Sequence, residues 1–173
     1  YSEKLVEVQV APGVTVSGRI DLVTSLETGE TSIVDFKSTE ESQATAVTRD
    51  QLSVYALGYR DLTGDQGFMY RDGAAVLVET ARMWADLGFW RTDAHGVRSF
   101  HIHGVTGPDE YTAVVNNNLF TNVMARANLT YAASLMREMQ QVDEAAYRRV
   151  VEDLDLDGGE VTEWERCAKG MVI

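Results

Sequence analysis

Along the first third of the chain apolar and polar residues alternate with the two-residue period of half-buried strands. Leu5-Val-Glu-Val-Gln-Val10 places Val6, Val8 and Val10 on one face, and Pro12-Gly13 turns the chain. Val14, Val16, Ile20 and Leu22 share a face in the next run, and Thr31-Ser-Ile-Val-Asp-Phe-Lys37 forms a third. The Glu27-Thr-Gly29 connection suits a type I turn closed by a left-handed glycine. That turn pairs Leu26 with Glu30, and therefore Asp21 with Asp35 across the ladder. A helix follows, capped near Thr48 and carrying Gln51, Leu52, Tyr55, Ala56 and Tyr59.

From Gly73 the period lengthens. Val76, Leu77, Ala81, Met83, Trp84 and Leu87 recur at helical spacing, and Gly88 is a natural stop. Phe89 to Arg98 reads as loop, Ser99-Phe-His-Ile-His103 as a short extended run, and Gly104 to Tyr111 as a turn. A long helix is expected from near Val114, with Val115, Leu119, Val123, Ala127, Tyr131 and Leu135 on one face. A shorter helix covers Glu144 to Leu154, and a last one from about Val161 buries Val161, Trp164, Ala168 and Met171. The pattern predicts an α+β chain. A small N-terminal antiparallel strand and hairpin region plus one helix fills residues 1–62, and an all-α region fills 63–173. The seam between them is Gly58-Tyr-Arg-Asp-Leu-Thr-Gly-Asp-Gln-Gly67.

Composition narrows the class. Over 173 residues, 45% hydrophobic and 24% charged are values of a globular chain and not of a disordered one. A net charge of -12 excludes broad nonspecific affinity for nucleic acid, leaving at most a local site built around a metal. The single cysteine, Cys167, forms no internal disulfide and fits a reducing, cytoplasmic compartment. No apolar run approaches a membrane span and no signal-peptide pattern opens the chain, so no membrane partner is expected. The sequon Asn128-Leu-Thr130 then reads as coincidence, and the start at Tyr1 fits a fragment.

Two constellations carry chemistry. In the first, Asp21 and Asp35 face each other, an arrangement that destabilises a sheet unless a divalent cation compensates. Alternation puts Lys37 on the same face as Asp35. Two acids and a lysine at one spot suit metal-assisted phosphodiester cleavage. With Gly18-Arg-Ile-Asp21, Asp35-Phe-Lys37 and Gln51-Leu-Ser-Val-Tyr55, residues 5–62 resemble the RecB-like PD-(D/E)XK nucleases. The resemblance implies Mg²⁺ or Mn²⁺ at Asp21 and Asp35, a catalytic Lys37, and Gln51 and Tyr55 approaching DNA.

In the second, the Gly107-Pro108 turn holds Asp109 and Glu110 beside Tyr111. An acid shielded by aromatics keeps its proton near neutral pH and donates it to a leaving oxygen, the general-acid role of glycoside cleavage. Phe100-His-Ile-His-Gly-Val-Thr-Gly-Pro-Asp-Glu-Tyr111 and Val115-Asn-Asn-Asn-Leu-Phe-Thr-Asn122 resemble glycoside hydrolase family 65, the maltose, trehalose and kojibiose phosphorylases among it. Val78-Glu-Thr-Ala-Arg-Met-Trp84 and Glu160-Val-Thr-Glu-Trp164 extend that resemblance over about residues 59–173. It implies an inverting mechanism with Glu110 as general acid and an α-linked disaccharide as substrate. Inorganic phosphate, or water in the hydrolases, attacks the anomeric carbon. It also implies a fragment of an (α/α)₆ barrel.

Each resemblance stops short of its family's architecture, and Tyr59 to Asp65 fits both. The chain is therefore expected to be a chimera of two partial domains, with little or no activity and with self-association through exposed helix faces. Three further features are assigned to structure. Asp153-Leu-Asp-Leu-Asp-Gly158 begins like a calcium loop but places Trp164 where a bidentate Glu belongs. His101 and His103 share a strand face without a third ligand, and Cys167 sits on an apolar helix face.

Overall fold

The computed structural model describes residues 2–25, 31–34, 45–107 and 114–173. Its architecture is mixed α+β and divides into two compact units, Tyr1–Val76 and Leu77–Ile173.

In the first unit, β1 (Ser2–Ala11), β2 (Val14–Ser25) and β3 (Thr31–Val34) form an antiparallel sheet in the order β1-β2-β3. The expected alternation is present in β1, where Val6, Val8 and Val10 are buried. In β2, Ile20 is buried but Val14 is exposed, because Val14 sits at the hairpin end opposite Ala11, where the register shifts. Leu22 pairs with Val34 and Val23 with Ile33, the register that the short connection implies.

Helix α1 (Thr45–Thr63) lies on this sheet. At Gly58 it comes so near that a Cβ would stand 2.4 Å from that of Val6. The seam is a turn between helices. Gly64 adopts φ 70° and its N–H donates to the Arg60 carbonyl at 2.7 Å, ending α1 as a left-handed glycine does. Asp65 then caps the next helix by accepting from the Phe68 N–H at 2.9 Å. The Tyr59 and Phe68 rings meet edge to face across the turn, 4.7 Å apart. The helical run continues as α2 (Gln66–Phe68), a π-helical turn (Met69–Gly73) and α3 (Ala74–Leu87).

The second unit is not all-α. Phe89 to Arg98, expected as loop, contains β4 (Phe89–Thr92), which pairs antiparallel with β5 (Arg98–His101). Helix α4 (Leu119–Val142) starts later than expected, at the cap Asn118. Its buried positions include Asn122, Ala125, Leu129, Ala132, Met136 and Met139, a stripe rotated from the expected one, and Leu119 is exposed. Helices α5 (Glu144–Asp153) and α6 (Glu160–Gly170) match expectation, and α6 packs on α4 through Val161, Trp164 and Ala168. Among the described residues no helix is long and apolar enough to cross a membrane.

Arg82 ties α3 to the start of α6. Its guanidinium donates to both Glu160 carboxylate oxygens, at 2.6 and 2.8 Å, and to the Leu154 and Asp155 carbonyls. The acidic 153–158 segment is thus a turn held by a cation of the protein itself. Cys167 is buried, and burial with the nearby Glu163 carboxylate pushes its thiol up to about 12, which fits a packing role.

Candidate active site

The chemistry predicted for the second unit centres on Glu110, which lies outside the described residues with the rest of 108–113. What the structure gives is the frame on either side. On the N-terminal side, β5 is tied along its length. Trp90 faces Phe100 across the hairpin, and its Nε1 donates to Glu163 at 3.1 Å while Arg98 covers the indole at 4.7 Å. Phe100 is buried, and its carbonyl accepts from the Val172 N–H at 3.0 Å.

The two flanks then meet. Val105 and Val115 exchange both backbone hydrogen bonds, at 3.1 and 2.8 Å. Gly104 N–H donates to Asn116 Oδ1 at 3.3 Å. Gly107 packs so closely on Asn118 that a Cβ would stand 2.6 Å from its Nδ2. Asn118 also caps α4, its Oδ1 accepting from the Thr121 N–H at 3.1 Å. The ends of the acid-bearing segment are therefore joined to each other and to the N-terminus of the long helix.

Beneath this joint lies a polar chain. Asn117, at φ 51°, donates its N–H to the Ile102 carbonyl at 2.7 Å and its Nδ2 to His101 Nδ1 at 3.0 Å. Ser99 Oγ lies 2.9 Å from His101 Nε2. Burial holds the His101 imidazole below its ordinary value, and the charges of His103 and Arg91 push the same way. Phe89 stacks on His101 at 5.8 Å and meets His103 edge-on at 4.7 Å. Sequence reading named the three asparagines 116–118 without giving them roles. Their signal was there to read, since Asn is favoured both at a helix cap and at a left-handed position.

Of the other predicted site residues, Asp21 lies on β2 beside the Leu22–Val34 pair, and its side chain falls outside the described residues, as do Asp35 and Lys37 entirely. Gln51 and Tyr55 lie on α1, where Gln51 Nε2 donates to the Tyr55 hydroxyl at 2.8 Å. Tyr55 is buried with its ring against Gly18, so it belongs to the packing of α1 on β2. Among the described residues no group of three or more His, Cys, Asp or Glu side chains is placed to hold a metal.

In this unit a hairpin and a capped long helix thus flank the acid-bearing segment. Residues 25–173 match the glycosyl hydrolase family 65 central catalytic domain, and the chain belongs to that family. It is 42% identical over 121 residues to the α,α-trehalose phosphorylase of Thermoanaerobacter brockii, covering 69% of this chain and 15% of that protein. It is 40% identical over 91 residues to the kojibiose phosphorylase of Escherichia coli K12, covering 53% of this chain and 11% of that one. A solved structure described as "Putative kojibiose phosphorylase from human microbiome" superposes with a TM-score of 0.61 at 22% identity, over 72% of this chain and 16% of that chain. The chain thus matches 11–16% of the length of these relatives.

These findings correct the two-part reading. The family match begins at residue 25 and runs through Asp35, Lys37, Gln51, Tyr55 and the seam, so the nuclease resemblance and the chimera find no support. Nor do Mg²⁺ or Mn²⁺ at that site, DNA as a partner, or self-association.

Proposed function

We propose that this chain carries the general-acid segment of an inverting disaccharide phosphorylase of family 65, with Glu110 as the acid. Family membership supports the class of reaction, and the clamped flanks at Val105–Val115 and Gly107–Asn118 support a segment whose orientation matters. The named relatives are phosphorylases of trehalose and kojibiose, so an α-linked disaccharide is the substrate class and inorganic phosphate the co-substrate. Glu110 gives its proton to the glycosidic oxygen as that bond breaks, and phosphate attacks the anomeric carbon from the opposite face of the sugar. The products are a sugar phosphate of inverted configuration and the free second sugar.

The helices α3, α4, α5 and α6 are read as part of an (α/α)₆ barrel. The observation that carries the proposal is the acid motif set between β5 and a left-handed Asn117 that leads into a capped α4, in a chain of this family. Its test is phosphate-dependent release of sugar phosphate from an α-linked disaccharide, compared with Glu110→Gln. General-acid catalysis contributes about 10²- to 10⁴-fold, so the glutamine variant is expected to lose a factor of that size.

A further inference from the structure

The pair Asn117 and His101 does more than fill the frame. Asn117 engages both backbone groups of Ile102, donating its N–H to the carbonyl at 2.7 Å and accepting from the Ile102 N–H on Oδ1 at 3.2 Å. Asn122 Nδ2, itself fixed by donating to the Val172 carbonyl at 2.7 Å, also donates to Asn117 Oδ1, at 3.5 Å. Two donors on one oxygen settle the orientation of the Asn117 amide, and its NH₂ end faces His101 Nδ1 at 3.0 Å. Nδ1 must therefore accept. The imidazole is neutral, with its hydrogen on Nε2 donated to Ser99 Oγ at 2.9 Å. A second proton, on Nδ1, would set an N–H against an NH₂.

We propose that Asn117 is the positioning residue for the acid segment, and that its hold between the flank after that segment and the strand before it is complete only while His101 is neutral. The geometry stands without the general-acid reading, and only the consequence for catalysis rests on it. Acid would then unfasten the frame by protonating His101, whatever the state of Glu110. Among the described residues the charged groups that act on His101 are His103, on the segment after β5, and Arg91 on β4, both of which oppose a second proton. Phe89 covers the ring from β4.

The test needs no activity. In the ¹⁵N-labelled chain, the nitrogen shifts of His101 should report the Nε2–H tautomer at neutral pH. As His101 takes up its second proton, amide exchange at Val105, Val115 and Asn117 should rise about tenfold or more, with interior amides of α4 and α6 unchanged. In Asn117→Asp a carboxylate faces Nδ1 and favours the imidazolium, so His101 should titrate about one pH unit higher or more, and protection at Val105 and Val115 should persist into acid. Asn117→Gly keeps the left-handed backbone without the amide and should lose that protection at every pH. Exchange that is steady through the His101 titration, or a His101 that does not move in Asn117→Asp, would overturn the proposal. None of these readings involves phosphorolysis, so failure here leaves the Glu110 reading intact, and an inactive chain leaves this one intact.

Discussion

Arg82 shows how much one side chain fixes in this unit. Three-quarters buried, it carries a forked pair with Glu160 and two carbonyl contacts, so its removal takes the cation from a carboxylate and a donor from each of two carbonyls. Arg82→Ala should lower the unfolding free energy by about 2 kcal/mol, with Lys, which lacks the fork, recovering only part. Urea unfolding of the three proteins measures this. The same pair sets a pH dependence. Hydrogen bonding to Arg82 holds the Glu160 carboxyl below its ordinary value, so the stability it contributes is present above the unfolded carboxyl's pKa and lost as pH falls through the folded one. Glu160→Gln should flatten that part of the acid-unfolding profile. His101 works in the same sense for a different reason. Burial lowers its value from 6.5, so as pH falls the unfolded chain binds the proton first, and the contribution is complete above about 6.5 and lost below. Stability measured against pH should therefore show two falling steps, of which Asn117→Asp moves the first.

Among the elements, legibility followed how one-sided each pattern was. The β1 alternation and the α6 stripe could be read because each has a single apolar face. Helix α4 carries large apolar residues on its exposed side too, Leu119 and Phe120, so spacing alone did not choose between the stripe through Leu119 and the one through Leu129 and Met136. The β4 strand was missed because Phe89–Thr92 is largely exposed and is held by its pairing with β5 and by Trp90, contacts distant in sequence. The seam was misread for a related reason. Gly64 and Asp65 are an ordinary helix stop and helix start, and a change in periodicity there looked like a join between proteins. Two changes test these elements. Asn118→Ala removes the α4 cap and should cost about 1 kcal/mol. Gly58→Ala forces a methyl group onto Val6 and should cost about 1–3 kcal/mol through overpacking, so an unchanged urea midpoint would show that α1 does not lie on β1 as described.

At the scale of the whole molecule, family identity was legible from the motif around Glu110 and its neighbours, a long run of special residue types that packing alone does not call for. The extent of the family was not, since residues 25–58 carry no comparable motif and yielded to a looser resemblance. The central claim is the proposed role of Glu110 as the general acid of a phosphorolytic site. It is tested most directly by grafting. Residues 25–173 replace their counterpart in the trehalose phosphorylase of Thermoanaerobacter brockii, and phosphate-dependent sugar phosphate release from trehalose is measured with Glu or Gln at position 110. The account predicts an active graft whose rate falls by about 10²-fold or more on Glu110→Gln. A graft that turns over equally well with glutamine would contradict it.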